Sequence, residues 1–230
     1  IDVEVNTALT PNKMNACIGA FDGLAIRSST IVDQSLLREA DRLRVIGRAG
    51  IGVDNIDVNM ATQLGIVVMN APFGNSVTTA EHTISMLLSI ARDIPQANSS
   101  THGGRWEKSR FMGVEITGKI LGIIGCGNIG SVVADRAQGL KMKVIGYDPF
   151  MSPERAHALG IERVNLEDLY KRADFISLHT PLTDATRNII NASAIENMKD
   201  GVRLINCARG GLIVEKDLKE AILSGKVARA

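Results

Sequence analysis

The chain has 230 residues, of which 45% are hydrophobic and 22% are charged, a balance typical of a folded globular protein and not of a disordered one. Its formal net charge of +1 gives no reason to expect nucleic acid or an anionic membrane surface as a partner. No apolar run approaches the ~20 residues that a membrane-spanning helix needs.

The cysteines and the first residues indicate a reducing compartment and an incomplete chain. Cys17, Cys126 and Cys207 lie far apart and include no CxxC pair, which argues against a zinc site and a disulfide framework. We predict no bound metal and a cytoplasmic location. Residues 1–10 lack the basic head and apolar stretch of a signal peptide. Because the chain does not begin with Met, we expect its natural beginning to be missing.

Short apolar runs alternate with helical patterns in the first third of the chain. The predicted strands are residues 24–27, 44–46 and 66–69, and the predicted helices lie around 35–40 and 58–64. Strands separated by single helices require parallel crossovers. Pro72 and Gly74 then interrupt the pattern, so we expect this first α/β unit to end near residue 73.

A long amphipathic helix is predicted to follow. Thr78 and Glu81 match the T-x-x-E capping box, and an apolar stripe at helical spacing extends from Ile84 to Ala91. The pattern fades in the polar, glycine-containing stretch 98–104. We therefore expect one helix between the capping box and this stretch.

The rest of the chain repeats a strand–helix pattern. Strands are predicted at 120–124, 143–147, 163–164, 175–178 and 202–206, a helix at 129–139, and a further strand from residue 227. Repeated βαβ units of this kind build a doubly wound parallel sheet. The expected fold is therefore α/β, with a Rossmann unit over 74–230 and a smaller, flavodoxin-like unit over 1–73. We expect both to be truncated at the chain ends.

Residues 125–130, Gly-Cys-Gly-Asn-Ile-Gly, match the G-x-G-x-x-G dinucleotide fingerprint between a predicted buried strand and an amphipathic helix. In this context Gly125 permits the tight turn, Gly127 lets the backbone approach a pyrophosphate, and Gly130 lets helix and strand pack closely. The helix N-terminus offers free N–H groups and a positive dipole end to the phosphates. A structural turn that binds no ligand is the alternative.

Asp148 follows the strand after the fingerprint helix. A carboxylate at this position can accept hydrogen bonds from both hydroxyls of the adenosine ribose, and its charge repels a 2′-phosphate. We therefore predict NAD as the cofactor in preference to NADP.

Several segments together resemble the D-2-hydroxyacid dehydrogenase family over essentially the whole chain. They are residues 48–55 (Arg-Ala-Gly-Ile-Gly-Val-Asp-Asn), 75–76 (Asn-Ser), 113–130, 179–182 (His-Thr-Pro-Leu) and 206–211 (Asn-Cys-Ala-Arg-Gly-Gly). The first two segments and residues 105–113 are most similar to the branch of the family whose substrate carries a phosphate. The resemblance implies an NAD-dependent enzyme that passes a hydride between C2 of a hydroxy acid and the nicotinamide. It also implies that residues 1–73 bind substrate and residues 74–230 bind NAD.

The resemblance assigns roles at the reacting end of the substrate. Arg209 matches the arginine that holds the substrate carboxylate and polarises the forming carbonyl. It follows a predicted strand in a Gly-rich turn, at the edge where such sheets bind ligands. A guanidinium can grip a carboxylate with two parallel hydrogen bonds. In the family, the catalytic Glu and His follow the strand that begins near Val227, so we expect both to lie beyond Ala230.

The first unit supplies further substrate contacts by resemblance. Ala49, Gly50 and Ile51 belong to a loop similar to the one whose backbone amides receive the substrate carboxylate, and Gly-rich loops expose N–H groups in this way. Arg27 and Arg48 each end a strand, and by similarity they bind the substrate phosphate in one cleft. From the sequence alone, a plain turn and two solvated arginines are the alternatives.

Further matches concern the hinge and the cofactor. Asn75 matches an asparagine that lines the cleft at the hinge between the two units. The positions that match cofactor contacts are Asn128, Ile129, Thr180, Cys207 and Ala208.

None of the four histidines replaces the expected Glu–His pair. His82 lies in the predicted long helix, His102 in a polar stretch and His157 on an amphipathic helix, so each is interpreted as structural or solvated. His179 ends a strand on the cofactor side, yet the family pattern gives it no part in proton transfer.

Two alternative functions remain open. A glyoxylate, hydroxypyruvate or D-lactate type dehydrogenase shares the motifs but binds no phosphate, and Arg27 and Arg48 together favour a phosphorylated 2-hydroxy acid. An NAD-sensing binding protein, like the C-terminal-binding-protein co-repressors that resemble this family, would need an exposed apolar peptide groove. The long helix and residues 106–111 resemble the family's dimerisation element, so we expect a homodimer or homotetramer.

Overall fold

The structure, a computed structural model, describes residues 1–72 and 74–230. The chain divides into two compact units, Ile1–Asn75 and Ser76–Ala230, and each is described by itself. The predicted boundary follows residue 73, which lies outside the described residues. No helix in the described ranges is both long enough and apolar enough to cross a membrane.

The first unit is a three-stranded parallel sheet with connecting helices. Its elements are α1 (Pro11–Cys17), β1 (Gly23–Ile26), α2 (Gln34–Arg38), β2 (Val45–Arg48), α3 (Val58–Gln63) and β3 (Val67–Asn70), and the strand order is β1-β2-β3. Asp33 and Asp57 start α2 and α3, because each side chain accepts a hydrogen bond from a backbone amide of the first turn. The three predicted strands and two helices are confirmed to within two residues, whereas α1 was not predicted.

The second unit is a six-stranded parallel sheet between two helical layers. Its elements are α4 (Ser76–Ala91), α5 (Ile94–His102), β4 (Ile120–Ile124), α6 (Asn128–Gly139), β5 (Lys143–Tyr147), α7 (Pro153–Ala158), β6 (Glu162–Arg163), α8 (Leu166–Arg172), β7 (Phe175–Leu178), α9 (Ala192–Glu196), β8 (Val202–Asn206), α10 (Glu215–Ser224) and β9 (Val227–Arg229). In the strand order β6-β5-β4-β7-β8-β9, β5 and β6 lie on one side of β4, and β7, β8 and β9 lie on its other side. This order confirms the predicted doubly wound sheet.

Both faces of this sheet are buried, because successive strand residues point to opposite sides. Ile123 packs in the core that also contains Val133 of α6. Its neighbour Ile124 packs in the opposite core with Leu169 of α8. Burial on both faces explains why the central strands appear in the sequence as continuous apolar runs.

The predicted single long helix is wrong, because the structure has two helices, α4 and α5. Helix α4 begins at Ser76, so Thr78 lies inside its first turn and is not a capping residue. Asp93 adopts a left-handed conformation with φ of 49°, and Pro95, near the start of α5, has no N–H with which to continue the α4 hydrogen bonds. The carbonyl of Ala91 instead accepts a hydrogen bond from the amide of Val114 at 2.8 Å.

Candidate functional site

The loops that follow four strands of the second unit lie at one edge of its sheet, because the strands are parallel. Residues 125–127 follow β4, Asp148 follows β5, residues 179–180 follow β7 and residues 207–209 follow β8. Open α/β sheets bind ligands at the carboxyl ends of the strands, at the point where the strand order switches sides, here between β4 and β7. The second-unit residues predicted to contact cofactor or substrate therefore share one edge.

The three fingerprint glycines differ in what surrounds them. Gly125 has φ of +93°, and a Cβ there would lie 2.7 Å from the carbonyl oxygen of His179. A Cβ on Gly130 would collide with the carbonyl oxygen of Gly125. By contrast, a Cβ on Gly127 would have no described atom within 4 Å. Gly125 and Gly130 are therefore required by packing, whereas the space at Gly127 stays open.

The start of α6 lies beside this open space. Gly127 is the N-cap of α6, Asn128 and Ile129 are its first two residues, and Gly127 has no side chain with which to cap the first turn. The first N–H groups of a helix have no partner within the helix, and they carry the positive end of its dipole. The open backbone and the uncapped helix end together fit the pyrophosphate of a dinucleotide.

Asp148 is tied to the fingerprint loop by backbone hydrogen bonds. Its Oδ2 accepts from the amide of Cys126 at 2.9 Å, and its Oδ1 accepts from the amide of Phe150 at 2.8 Å. These bonds fix the carboxylate next to the glycine turn. Each carboxylate oxygen has a second lone pair, so both can still accept from a ligand hydroxyl.

Two buried polar atoms behind the fingerprint have no hydrogen-bond partner among the described residues: Thr180 Oγ1 and His179 Nδ1. The methyl group of Thr180 would lie 2.8 Å from a Cβ on Gly125, so Thr180 packs directly against the glycine turn. The Nε2 atom of His179 lies 2.7 Å from the Ser177 hydroxyl. Burial lowers the pKa of His179 to about 4, so this histidine is neutral near pH 7 and is a poor proton acceptor there.

The turn after β8 is shaped by one asparagine side chain. Asn206 Nδ2 donates to the carbonyl oxygen of Arg209 at 2.8 Å, and its Oδ1 accepts from the amide of Ala208 at 3.0 Å. This turn positions the half-buried side chains of Cys207 and Arg209 at the ligand edge. One Arg209 terminal nitrogen also donates to the carbonyl of Ala208 at 2.9 Å.

In the first unit, Arg27 and Arg48 stand at the ends of neighbouring parallel strands. Arg48 ends β2 and lies opposite the last residue of β1, and Arg27 is the next residue after β1. Arg27 is exposed, whereas Arg48 is only 8% exposed. The Arg48 guanidinium lies against Gly50, where a Cβ would collide with it. Arg48 Nε donates to Asn55 Oδ1 at 3.2 Å.

The glycine loop after β2 has fewer available amides than the sequence suggests. The amides of Ala49 and Gly50 already donate to carbonyl groups within the unit, at 2.9 Å each. Those of Ile51 and Gly52 have no acceptor among the described residues. Asn70 Nδ2 donates to the carbonyl of Ile51 at 2.7 Å and fixes this part of the loop. Of the amides in this loop, those of Ile51 and Gly52 are therefore the ones available to a carboxylate.

The remaining histidines and Cys126 are not suited to take part in the reaction. His82, His102 and His157 are exposed on helices. Cys126 is buried, and burial raises the pKa of its thiol to about 12, so it is not a nucleophile near neutral pH.

Two asparagines were missed as contributors to the site. Asn55 and Asn206 stood within the quoted motifs without an assigned role, although asparagine after a strand is a signal for a turn fixed by its side chain. Asn75, a predicted contact, is the exposed last residue of the first unit.

Residues 84–230 match the family model described as D-isomer specific 2-hydroxyacid dehydrogenase, NAD binding domain. The match covers most of the second unit, including the fingerprint, Asp148 and the turn that carries Arg209. It confirms the resemblance drawn from the motifs and confirms NAD as the predicted cofactor.

Individual proteins match over the first unit as well. The chain is 46% identical over 230 residues to a D-3-phosphoglycerate dehydrogenase of Archaeoglobus fulgidus and 49% identical over 230 residues to one of Methanocaldococcus jannaschii. Both alignments cover 100% of this chain and 44% of the relative, so the chain spans less than half the length of these relatives. The crystal structure of D-lactate dehydrogenase from Aquifex aeolicus, complexed with NAD and lactic acid, matches with a TM-score of 0.87 and 31% identity, covering 93% of this chain and 64% of that one.

Proposed function

Because the chain belongs to the D-isomer specific 2-hydroxyacid dehydrogenase family, we propose that it forms the cofactor- and substrate-binding part of an NAD-dependent dehydrogenase. Its reaction is the oxidation of 3-phosphoglycerate to 3-phosphohydroxypyruvate, the first step of serine biosynthesis. The observation that carries the choice of substrate is the pair of arginines at adjacent strand ends of the first unit. The names of the two archaeal relatives support it.

The second unit binds the cofactor. The open backbone at Gly127 and the uncapped start of α6 receive the pyrophosphate. Asp148, held in place by the amide of Cys126, accepts from the adenosine ribose hydroxyls. Thr180, Cys207 and Ala208 line the same edge. NAD, when bound, supplies the hydride acceptor at its nicotinamide ring.

The substrate is held at both ends. Arg209 binds the carboxylate with two parallel hydrogen bonds and stabilises the negative charge that develops on the C2 oxygen. In the first unit, the amides of Ile51 and Gly52 are available to a carboxylate oxygen. Arg27 and Arg48 bind the phosphate, a dianion that a planar guanidinium matches in shape and charge.

No histidine of the described chain is proposed to move the hydroxyl proton. His82, His102 and His157 are exposed on helices, and the pKa of His179 is too low for it to accept a proton near pH 7. The resemblance to the family assigns proton transfer to a Glu–His pair.

The test is steady-state NADH formation by the purified full-length protein with NAD and a panel of D-2-hydroxy acids. Oxidation of 3-phosphoglycerate with kcat/KM at least about a hundredfold above that of D-glycerate, D-lactate and glycolate is the expected result. A preference for an unphosphorylated acid would make the protein a glyoxylate, hydroxypyruvate or D-lactate type enzyme. Tight NAD binding without turnover of any acid would favour the NAD-sensing binding protein.

We propose further that the protein is a homodimer or homotetramer in a reducing, cytoplasmic setting. Trp106, Met112 and Ile94 are exposed on and after α5, which supports burial of this region in a subunit interface. Light scattering of the purified protein, together with Trp106→Ser, tests the assembly.

A further inference from the structure

Asn55 makes three hydrogen bonds that link the two strand ends carrying the arginines. Its Oδ1 accepts from Arg48 Nε at 3.2 Å. Its Nδ2 donates to the carbonyl oxygen of Arg27 at 3.1 Å and to that of Thr30 at 2.6 Å. One amide therefore holds the side chain of one arginine and the backbone of the other.

The contact to Nε decides which part of the Arg48 guanidinium stays available. Asn55 takes up Nε, and Gly50 leaves room for the plane of the group. No acceptor among the described residues takes up the two terminal nitrogens of Arg48. Because Arg48 is only 8% exposed, its side chain has little freedom to turn away. The guanidinium is held with its terminal N–H groups unpaired, the arrangement that binds two oxygens of a phosphate.

We propose that Asn55 is a positioning residue for recognition of the substrate phosphate, acting through Arg48 and the backbone of Arg27. This inference rests on the proposed function. Preorganisation of this kind raises affinity because less rotamer freedom is lost when the anion binds. The gain in affinity is confined to substrates with a phosphate. The side chain of Asn55 bonds only to Arg48 Nε and to the carbonyl oxygens of Arg27 and Thr30, and none of these groups is proposed to bind the substrate carboxylate.

The test compares 3-phosphohydroxypyruvate with hydroxypyruvate, which lacks only the phosphate, as substrates for NADH-dependent reduction by the full-length protein. Asn55→Ala removes all three bonds and is expected to raise the KM for 3-phosphohydroxypyruvate by about tenfold, the effect of roughly one lost charge-assisted contact. The kcat/KM for hydroxypyruvate is expected to stay within about twofold of wild type. Asn15→Ala is the matched control, because Asn15 makes one side-chain hydrogen bond, to Ser35, elsewhere in the same unit.

Asn55→Asp gives a second variant of the same shape. The Asn55 amide nitrogen, which donates to the carbonyl oxygens of Arg27 and Thr30, would be replaced by an oxygen that cannot donate. The negative charge of the new carboxylate would also compete with phosphate for Arg48. It is therefore expected to raise the same KM as Asn55→Ala does. Because the added charge alone raises this KM, the neutral variant Asn55→Ser, which is too short to keep the three bonds, decides the question if Asn55→Ala is too unstable to assay.

A double-mutant cycle separates positioning from a general loss of structure. In an Arg48→Ala background, adding Asn55→Ala is expected to change the KM for 3-phosphohydroxypyruvate by less than it does in the wild-type protein, because only the bonds to the Arg27 and Thr30 carbonyl groups are left to lose. Equal losses on both substrates, or full additivity of the two mutations, would overturn the positioning role. If Arg27→Ala and Arg48→Ala themselves lower phosphate selectivity but the Asn55 variants do not, only this inference fails. If neither arginine variant affects selectivity, the phosphate role itself fails.

Discussion

Three glycines, two in α6 and one at its N-cap, allow stability and cofactor binding to be tested separately, by replacing each with alanine. In Gly130→Ala, the new methyl group would collide with the carbonyl oxygen of Gly125 and lie 3.3 Å from Ile123. Overpacking against a buried backbone costs about 1–3 kcal/mol or more. For a unit of this size, each kcal/mol lowers Tm by about 2–4 °C, so we expect a fall of roughly 5–10 °C and weaker NAD binding.

Gly127→Ala should give the opposite combination. Its φ of −74° lies outside the left-handed region, its ψ of −148° lies only about 30° beyond the β region, and a Cβ would contact no described atom within 4 Å. Its free energy of unfolding should therefore change by less than about 1 kcal/mol. The methyl group would stand where the backbone is proposed to meet the pyrophosphate, so the Kd for NAD should rise at least tenfold, or about 1.4 kcal/mol.

Gly139→Ala is the matched control at the other end of the same helix. Gly139 is exposed, and a Cβ there meets no described atom within 4 Å. Alanine should raise stability by about 0.5–1 kcal/mol and leave NAD binding unchanged. Differential scanning calorimetry and isothermal titration with NAD measure both quantities. An unchanged Kd in Gly127→Ala, or a wild-type Tm in Gly130→Ala, would refute the reasoning about this turn.

Three further predictions concern single side chains. Asp148→Ala should weaken NAD binding by about ten- to a hundredfold, the loss of a charge-assisted hydrogen bond, and reduce discrimination against NADP; titration with both cofactors checks this. Arg209→Ala should depress kcat for phosphorylated and unphosphorylated substrates alike, whereas Arg27→Ala should raise KM for the phosphorylated one only, as steady-state kinetics would reveal. Because burial lowers the pKa of His179 from 6.5 to about 4, only the unfolded chain takes up this proton between those values, so stability should fall as the pH drops from 6.5 to 4. Denaturant unfolding should show that His179→Gln removes roughly 3 kcal/mol of that fall.

The parts of the fold that the sequence predicted best are those determined by local pattern. The bounds of β4, β5, β7 and β8 are as predicted, because each is an apolar run limited by polar or glycine residues. The fingerprint turn was also predictable, since the packing around Gly125 and Gly130 forbids any other residue there.

The features that the sequence did not predict depend on contacts between distant segments. The break between α4 and α5 has one local signal that the prediction of a single helix did not use, Pro95, and a distant one, the hydrogen bond from the Val114 amide to the Ala91 carbonyl. Asn55 gains its three partners only when the ends of β1 and β2 come together. The amides of Ala49 and Gly50 were predicted to receive a carboxylate, but in the folded unit they already donate to backbone carbonyl groups.

The most direct test of the central claim is one ratio in the full-length protein: kcat/KM for 3-phosphohydroxypyruvate divided by kcat/KM for hydroxypyruvate, with NADH. Two arginines that each contribute a charge-assisted hydrogen bond of about 1.5–3 kcal/mol predict a ratio of at least a hundred. The ratio should fall toward one when both Arg27 and Arg48 are replaced by alanine. A wild-type ratio near one would contradict the claim that this chain recognises a phosphorylated 2-hydroxy acid.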